Sequence, residues 1–404
     1  MNGPTPIISS MLADVAPRSP IPRTNFGGSE GYNRSGYHTG TLLQLLFFLI
    51  SMTVALAQDS PLERAVNLAR AKRYAEAREA LAGATEPAGI NQRIAFHRLK
   101  AAVASGLGES GAAADEMRTA LALAPKDSGL LMATAAAELQ AERLDDALLH
   151  VSAAGNTALA QALTGDIYER RGDYVNAANA YKAAVALAPE SEQYRMALAL
   201  ELVQHQTFEP AIQVLQQAAP LFPGSGRMRT LLGIAHYAMG HVEEAQASLV
   251  DAIAVDPNLE PAYTYLARIA LEATGAPQAR TIDVLCRRDT PVCHALQLRA
   301  GERAALDKLK QAPPDNAIAR CELGRAYEAA ANFAQARTEM EACVSLDASP
   351  ANHYRLGRIY ERLGLTELAH KEMELRNAAA QRLNEEVSRR ESAVQAFRYL
   401  TTQK

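Results

Sequence analysis

Tryptophan is absent from the sequence and aromatic residues make up only 5% of it, although apolar residues reach 48%. A core built on large rings is therefore excluded, and burial must come from alanine and leucine packed at close helix spacing. Excess charge is missing as well: charged residues are 21% and the formal net charge is -4. That balance excludes both the strongly basic composition of a nucleic-acid binder and the low hydrophobicity of a disordered chain. No run of Lys and Arg interleaved with aromatics is offered to nucleic acid. The spaced signatures of catalysis are missing too, with no HExxH, no GxSxG, no Walker loop and no paired CxxC. The expectation is a non-enzyme with no cofactor, no metal site and no small-molecule substrate. Gly224-Ser225-Gly226 follows Pro223, where small residues act as a linker rather than as the setting of a nucleophile. His236 and His241 lie five apart. On one continuous helix that spacing points them about 140° from each other rather than toward one metal, so both read as structural.

At 404 residues the chain is too long for an ordinary single core and must be several domains or a repeat array. Residues 1–41, rich in Pro, Gly and Ser and without periodicity, read as a disordered leader or an early start codon. Residues 42–57, LLQLLFFLISMTVALA, end in Ala55-Leu56-Ala57, the small residues that a signal peptidase accepts. The stretch is interrupted by Gln44 and Ser51 and falls short of the roughly 20 apolar residues that a spanning helix needs. A cleaved signal peptide, and hence a periplasmic or secreted protein, is expected. The alternative is anchorage to the inner membrane by residues 42–57, so membrane contact follows only if that segment is uncleaved.

After the leader, small and large apolar residues recur in a fixed pattern closed by Pro. It is clearest in GDIYERRGDYVNAANAYKAAVALAP (Gly165 to Pro189) and LGIAHYAMGHVEEAQASLVDAIAVDP (Leu232 to Pro257). The pattern resembles the tetratricopeptide repeat, a 34-residue helical hairpin. The frame starts at residues 94, 128, 158, 192, 226 and 260. Ala101, Ala135, Gly165, Ala199, Gly233 and Ala267 then occupy position 8, and Ala113, Ala147, Ala177, Ala211, Ala245 and Ala279 occupy position 20. Only small side chains let two antiparallel arms approach closely at those points. Met117, Val151, Tyr181, Leu215 and Leu249 fill position 24, where they are expected to pack against the next unit. Pro125, Pro189, Pro223, Pro257 and Pro291 are expected to end second helices. Further frames start at 317 and 350, a degenerate hairpin with Ala65, Leu68, Ala77 and Leu81 precedes the array, and a unit over about 294–316 is too short for two full helices. About nine or ten hairpins are expected.

The resemblance implies an all-α, right-handed superhelical solenoid over residues 58–375. Residues 376–404 continue with apolar residues at near-helical spacing and read as an amphipathic capping helix, through which a homo-oligomer would form. The four cysteines, Cys286, Cys293, Cys321 and Cys343, lie in the C-terminal third. Cys286 and Cys293 bracket a turn where the period fails, so a disulfide there would staple the junction; alternatively Cys286 and Cys343 stand in for small buried alanines.

In the family, first helices line a concave groove that holds a protein or peptide partner. The corresponding positions here are apolar mid-array, including Met132, Leu139, Met196, Leu200, Val203, Ile234 and Tyr237, and turn polar later. Arg268, Arg325 and Arg358 recur at position 9, Glu328 and Glu361 at position 12, and Tyr354 at position 5. One reading is an arginine ladder gripping carboxylates or carbonyls of an extended peptide. The other pairs Arg325 with Glu328 and Arg358 with Glu361 as ordinary i,i+3 bridges, leaving Arg268 without such a partner. The residues that the family uses to clamp chaperone tails are replaced, so that partner is not expected. The function expected is a protein-binding scaffold or adaptor of the bacterial cell envelope; the alternative is an accessory factor of an envelope polysaccharide or enzyme complex that holds a polymer.

Overall fold

The computed structural model describes residues 60–273 and 277–402, and everything in the described residues that is regular is α-helix. The leader and the signal-peptide stretch lie outside the described residues. Two compact units divide the chain, the first ending at Ala197 and the second beginning at Leu198.

In the first unit, α1 (Pro61–Arg70) pairs with α2 (Tyr74–Ala82), α3 (Ile90–Gly106) with α4 (Ser110–Leu123), α5 (Ser128–Gln140) with α6 (Leu144–Ala153), and α7 (Ala158–Arg171) with α8 (Tyr174–Leu187). The unit boundary falls inside α9 (Glu192–Gln204). From there the second unit continues through α10 (Phe208–Ala218), α11 (Gly226–Ala238), α12 (Val242–Val255), α13 (Glu260–Glu272), α14 (Ala279–Leu285), α15 (Pro291–Arg299), α16 (Ala305–Lys310), α17 (Ala317–Ala329), α18 (Phe333–Leu346), α19 (Pro350–Arg362) and α20 (Thr366–Thr402). These are ten successive helix pairs among the described residues.

Local chemistry sets the helix ends. Asp127, Thr157, Ser225, Asn316 and Ser349 each accept a backbone N–H three residues on, satisfying one of the donors that a first helix leaves open. Between the arms of eight hairpins one backbone site is left-handed. It is glycine at Gly108, Gly172, Gly240 and Gly364, but Lys72, Glu142, Gln206 and Ala331 take it elsewhere with φ of 55 to 58°. Pro125, Pro189, Pro223 and Pro257 follow second helices as the frame requires.

Packing follows the small positions. Ala135, Ala147, Ala177, Ala211 and Ala245 are fully buried. A Cβ added to Gly165 would stand 2.6 Å from the Tyr181 ring, one on Gly233 2.7 Å from Leu249, and one on Gly324 2.6 Å from Met340. Position 24 thus nests on position 8 of its own hairpin across the antiparallel arms, and Met117, Val151 and Leu249 also share a core cluster with the first helix of the next unit.

The frame fails around 277–291. Pro277 lacks a donor for a helical hydrogen bond, and α14 starts only at Ala279, which is exposed instead of filling its packing position, while Ala267 is only partly buried. Thr281, Val284 and Leu285 take over the burial. With α14 finished at Leu285, Pro291 does not end a second helix; it is the first residue of α15, behind the Thr290 cap. The short unit still makes two helices by trimming its arms to 9 and 6 residues. At the other end, α20 runs unbroken for 37 residues, so the last hairpin's second arm and the C-terminal segment are one helix.

Polar pins cross the hairpins. His97 bonds Glu116 at 2.7 Å, Arg320 bonds Glu339 at 2.9 Å and His353 bonds Glu372 at 2.6 Å, all at repeat positions 4 and 23. Glu138, fully buried in α5, accepts from Arg118 Nε at 2.6 Å and bonds His150 Nδ1 at 2.7 Å. Glu138 is thereby partnered where an unpaired buried charge would be prohibitive, and the partly buried Glu116, Glu339 and Glu372 are held in the same way.

Candidate partner-binding site

The apolar first-helix positions do not form an open surface. Leu139, Met196, Val203 and Tyr237 are buried, and Met132, Leu200 and Ile234 are partly so. Among the expected groove positions the exposed ones are Tyr354, Arg358 and Glu361, part of a polar set on the second unit's later first helices that also holds the partly buried Arg325 and Glu328.

Its anchor is an ion pair that the repeat frame does not mark. Arg299, at the end of α15, donates from Nη1 to the Leu271 carbonyl at 2.7 Å, covering the open C-terminal end of α13. Its other edge meets Glu322 of α17 in a two-pronged pair, with Nε to Oε2 at 3.0 Å. Both side chains are close to buried, 12% and 7% exposed. Glu322 also accepts from Arg325 Nη1 at 3.2 Å. Burial lowers the Arg325 pKa, and the positive charges of Arg299 and Arg355 lower it further against the pull of Glu322.

The next hairpin extends the cluster. Glu328 accepts from Arg355 Nη1 at 2.9 Å and lies 3.9 Å from Arg358 Nη2. Neither i,i+3 pair expected from the spacing forms in that way: Arg325 turns back to Glu322, and Arg358 turns to Glu328 on the neighbouring first helix. Stacked helices place these side chains closer across the interface than along it. Tyr354 is 44% exposed, with the Arg358 guanidinium 6.0 Å and that of Arg376 in α20 5.4 Å from its ring centre. Glu361 stands exposed near the end of α19.

Arg268 and Tyr237 belong to a second group. The Tyr237 hydroxyl donates to Glu272, two helices on, and burial followed by that carboxylate raises the tyrosine pKa. Burial also raises the Glu272 pKa, while the Tyr237 hydrogen bond and the Arg268 charge pull it down. Arg268 lies 5.9 Å over the Tyr265 ring. Its acidic neighbour is thus one residue further along than an i,i+3 search covers. The structure therefore brings Arg325, Glu328, Tyr354 and Arg358 together, and places Arg268 with Tyr237.

Cys286 is joined to Cys293 across the junction between α14 and α15, and Cys321 to Cys343 across the arms of α17 and α18. The second bridge escapes a reading by sequence proximity, since it links residues 22 apart; its signal is that repeat positions 5 and 27 face each other. Among the described residues no group of three or more His, Cys, Asp or Glu side chains is placed to hold a metal ion, and no helix is long and apolar enough to cross a membrane.

Stacked helical hairpins with a charged, open first-helix face define a repeat scaffold. Models of the tetratricopeptide repeat match residues 162–226, 202–270 and 317–350, so the chain carries tetratricopeptide repeats over those residues. Such repeats generally act as non-catalytic scaffolds that bind protein or peptide partners. A search of curated proteins finds no match. Among solved structures, the C-terminal part of a repeat protein from Cytophaga hutchinsonii is 16% identical, covers 61% of this chain and 94% of its own, and has a TM-score of 0.44. A repeat protein from Parabacteroides merdae is 16% identical over 69% of this chain and 98% of its own, with a TM-score of 0.38. YrrB, a TPR protein with an unusual peptide-binding site, is 16% identical over 49% of this chain and 98% of its own, with a TM-score of 0.36.

Proposed function

We propose that this protein is an exported adaptor of the bacterial cell envelope that holds a peptide segment of another protein by its carboxylates, against Arg325, Arg358 and Tyr354. The observation that carries this reading is a local charge imbalance. Four guanidiniums, of Arg299, Arg325, Arg355 and Arg358, share two carboxylates, of Glu322 and Glu328. Two positive charges are left over at a partly exposed face, where an incoming carboxylate gains charge-assisted hydrogen bonds. Tyr354 adds an apolar ring for a neighbouring side chain. Export is supported by the pairing of all four cysteines, which an oxidising compartment favours.

Synthetic peptides ending in a free carboxylate and their amidated twins, titrated against the full chain, test the reading. Retention of the acid forms with loss on Arg325→Glu plus Arg358→Glu is expected. Equal binding of acid and amide forms, or no effect of the charge reversals, removes it. The exposed Tyr354 ring also suits stacking on a sugar, which favours as second reading an accessory factor of an envelope polysaccharide. Binding of neutral oligosaccharides that is unaffected by the charge reversals and abolished by Tyr354→Ala would select it.

A further inference from the structure

His236 and His241 are read from their spacing as pointing apart, and the structure brings a ring nitrogen of each together. α11 stops at Ala238, Gly240 takes a left-handed turn with φ of 79°, and His241 is the residue that precedes α12. His236 therefore sits on one arm of the hairpin and His241 in the turn just before the other, and helical spacing does not govern them. Their Nδ1 atoms are 3.5 Å apart, with ring centres at 5.7 Å. Two imidazole nitrogens on one tetrahedral zinc, each at about 2.0–2.1 Å, stand about 3.4 Å from each other.

Four other histidines are committed to carboxylates: His97 to Glu116, His150 to Glu138, His294 to Asp289 and His353 to Glu372. At His236 a ring nitrogen faces a ring nitrogen. Two neutral imidazoles in that arrangement can share one proton or aim both lone pairs at one cation. Glu244, in the first turn of α12, acts on His236 with a negative charge, which offsets part of a cation's charge. His241 itself is exposed, so the pair opens to solvent.

We infer that His236 and His241 form a two-histidine site for one borderline divalent transition ion of the zinc class, bound through the two Nδ1 atoms with water completing its coordination. The bound ion bridges the end of α11 to the start of α12 and pins the turn of that hairpin. Imidazole donors select this class over magnesium or calcium, which prefer oxygen.

The test uses the untagged full chain, stripped with chelator and titrated calorimetrically with zinc chloride, beside the variants His241→Ala and His236→Gln. His241 makes no side-chain capping hydrogen bond, so its removal leaves the hairpin intact even where the buried His236 variant unfolds. One zinc ion per chain is expected, with affinity reduced more than about tenfold in His241→Ala and a zinc-dependent rise in melting temperature confined to the wild type. Absence of saturable zinc binding, or binding by His241→Ala within about twofold of the wild type, overturns the site.

Discussion

Residue by residue, the fold is held at points where a single atom decides. The left-handed turn residue is one. Ala331 occupies it with φ of 55°, a conformation that costs a side chain about 1–2 kcal/mol and glycine nothing. Ala331→Gly should raise stability by about 0.5 to 1 kcal/mol in denaturant unfolding, glycine's extra unfolded-state entropy taking back the rest; a loss would show that the turn is not strained. Glu322 is another such point. Replacing it with Ala leaves the Arg299 charge buried and should cost about 3–5 kcal/mol, whereas Arg299→Met together with Glu322→Leu should cost much less. Equal losses would mean that the pair acts only by its shape. His236 supplies a pH signature in chelator. Its folded pKa is depressed, mainly by burial and then by His241, with Glu244 opposing, so the unfolded chain binds the proton more tightly. Its stabilising contribution is complete above the unfolded value of about 6.5 and is lost as pH falls through the lower folded pKa. Wild-type stability should fall more steeply than that of His236→Gln as the solution is acidified from about pH 7.5 to about pH 5.

Among the elements, the regular hairpins were legible because alanine and glycine recur at fixed spacing, and side-chain size alone forces the arms together there. Gly165 against Tyr181 and Gly233 against Leu249 are direct consequences of that spacing. What the pattern hid is whatever depends on a helix end rather than a helix face. Pro277 shifts the start of α14, and with it Ala279 and Pro291 leave their assigned roles. Gly240 ends α11 early enough to bring two histidines together. The ion pairs of the candidate site were misassigned for a related reason: Arg358 meets Glu328 across stacked helices, a distance set by packing and invisible to counting along one helix. The pins of His97 to Glu116, Arg320 to Glu339 and His353 to Glu372 did carry a signal, a basic residue and a glutamate 19 apart in phase with the repeat. Both disulfides sit at this scale as well, one joining successive hairpins and one closing a hairpin on itself. Mass spectrometry of the purified chain should show a gain of four hydrogens on reduction, with a loss of about 2 to 4 kcal/mol for each bridge removed. Four thiols alkylated without reductant would refute both.

For the molecule as a whole, a scaffold needs no reacting group, only an accessible face whose charge and shape suit a partner. The mid-array apolar residues are spent on the core, since Leu139, Met196, Val203 and Tyr237 are buried. The polar first helices of the last hairpins carry the exposed positions proposed to meet another chain. Because the attraction there is between charges at a partly exposed surface, binding should weaken as salt is raised from about 0.05 to about 0.5 M. The central claim is tested most directly by photocrosslinking in intact cells from a reactive residue at position 354. The account predicts discrete protein adducts that disappear when Arg325→Glu and Arg358→Glu are introduced together; adducts that persist unchanged in that double variant would contradict it.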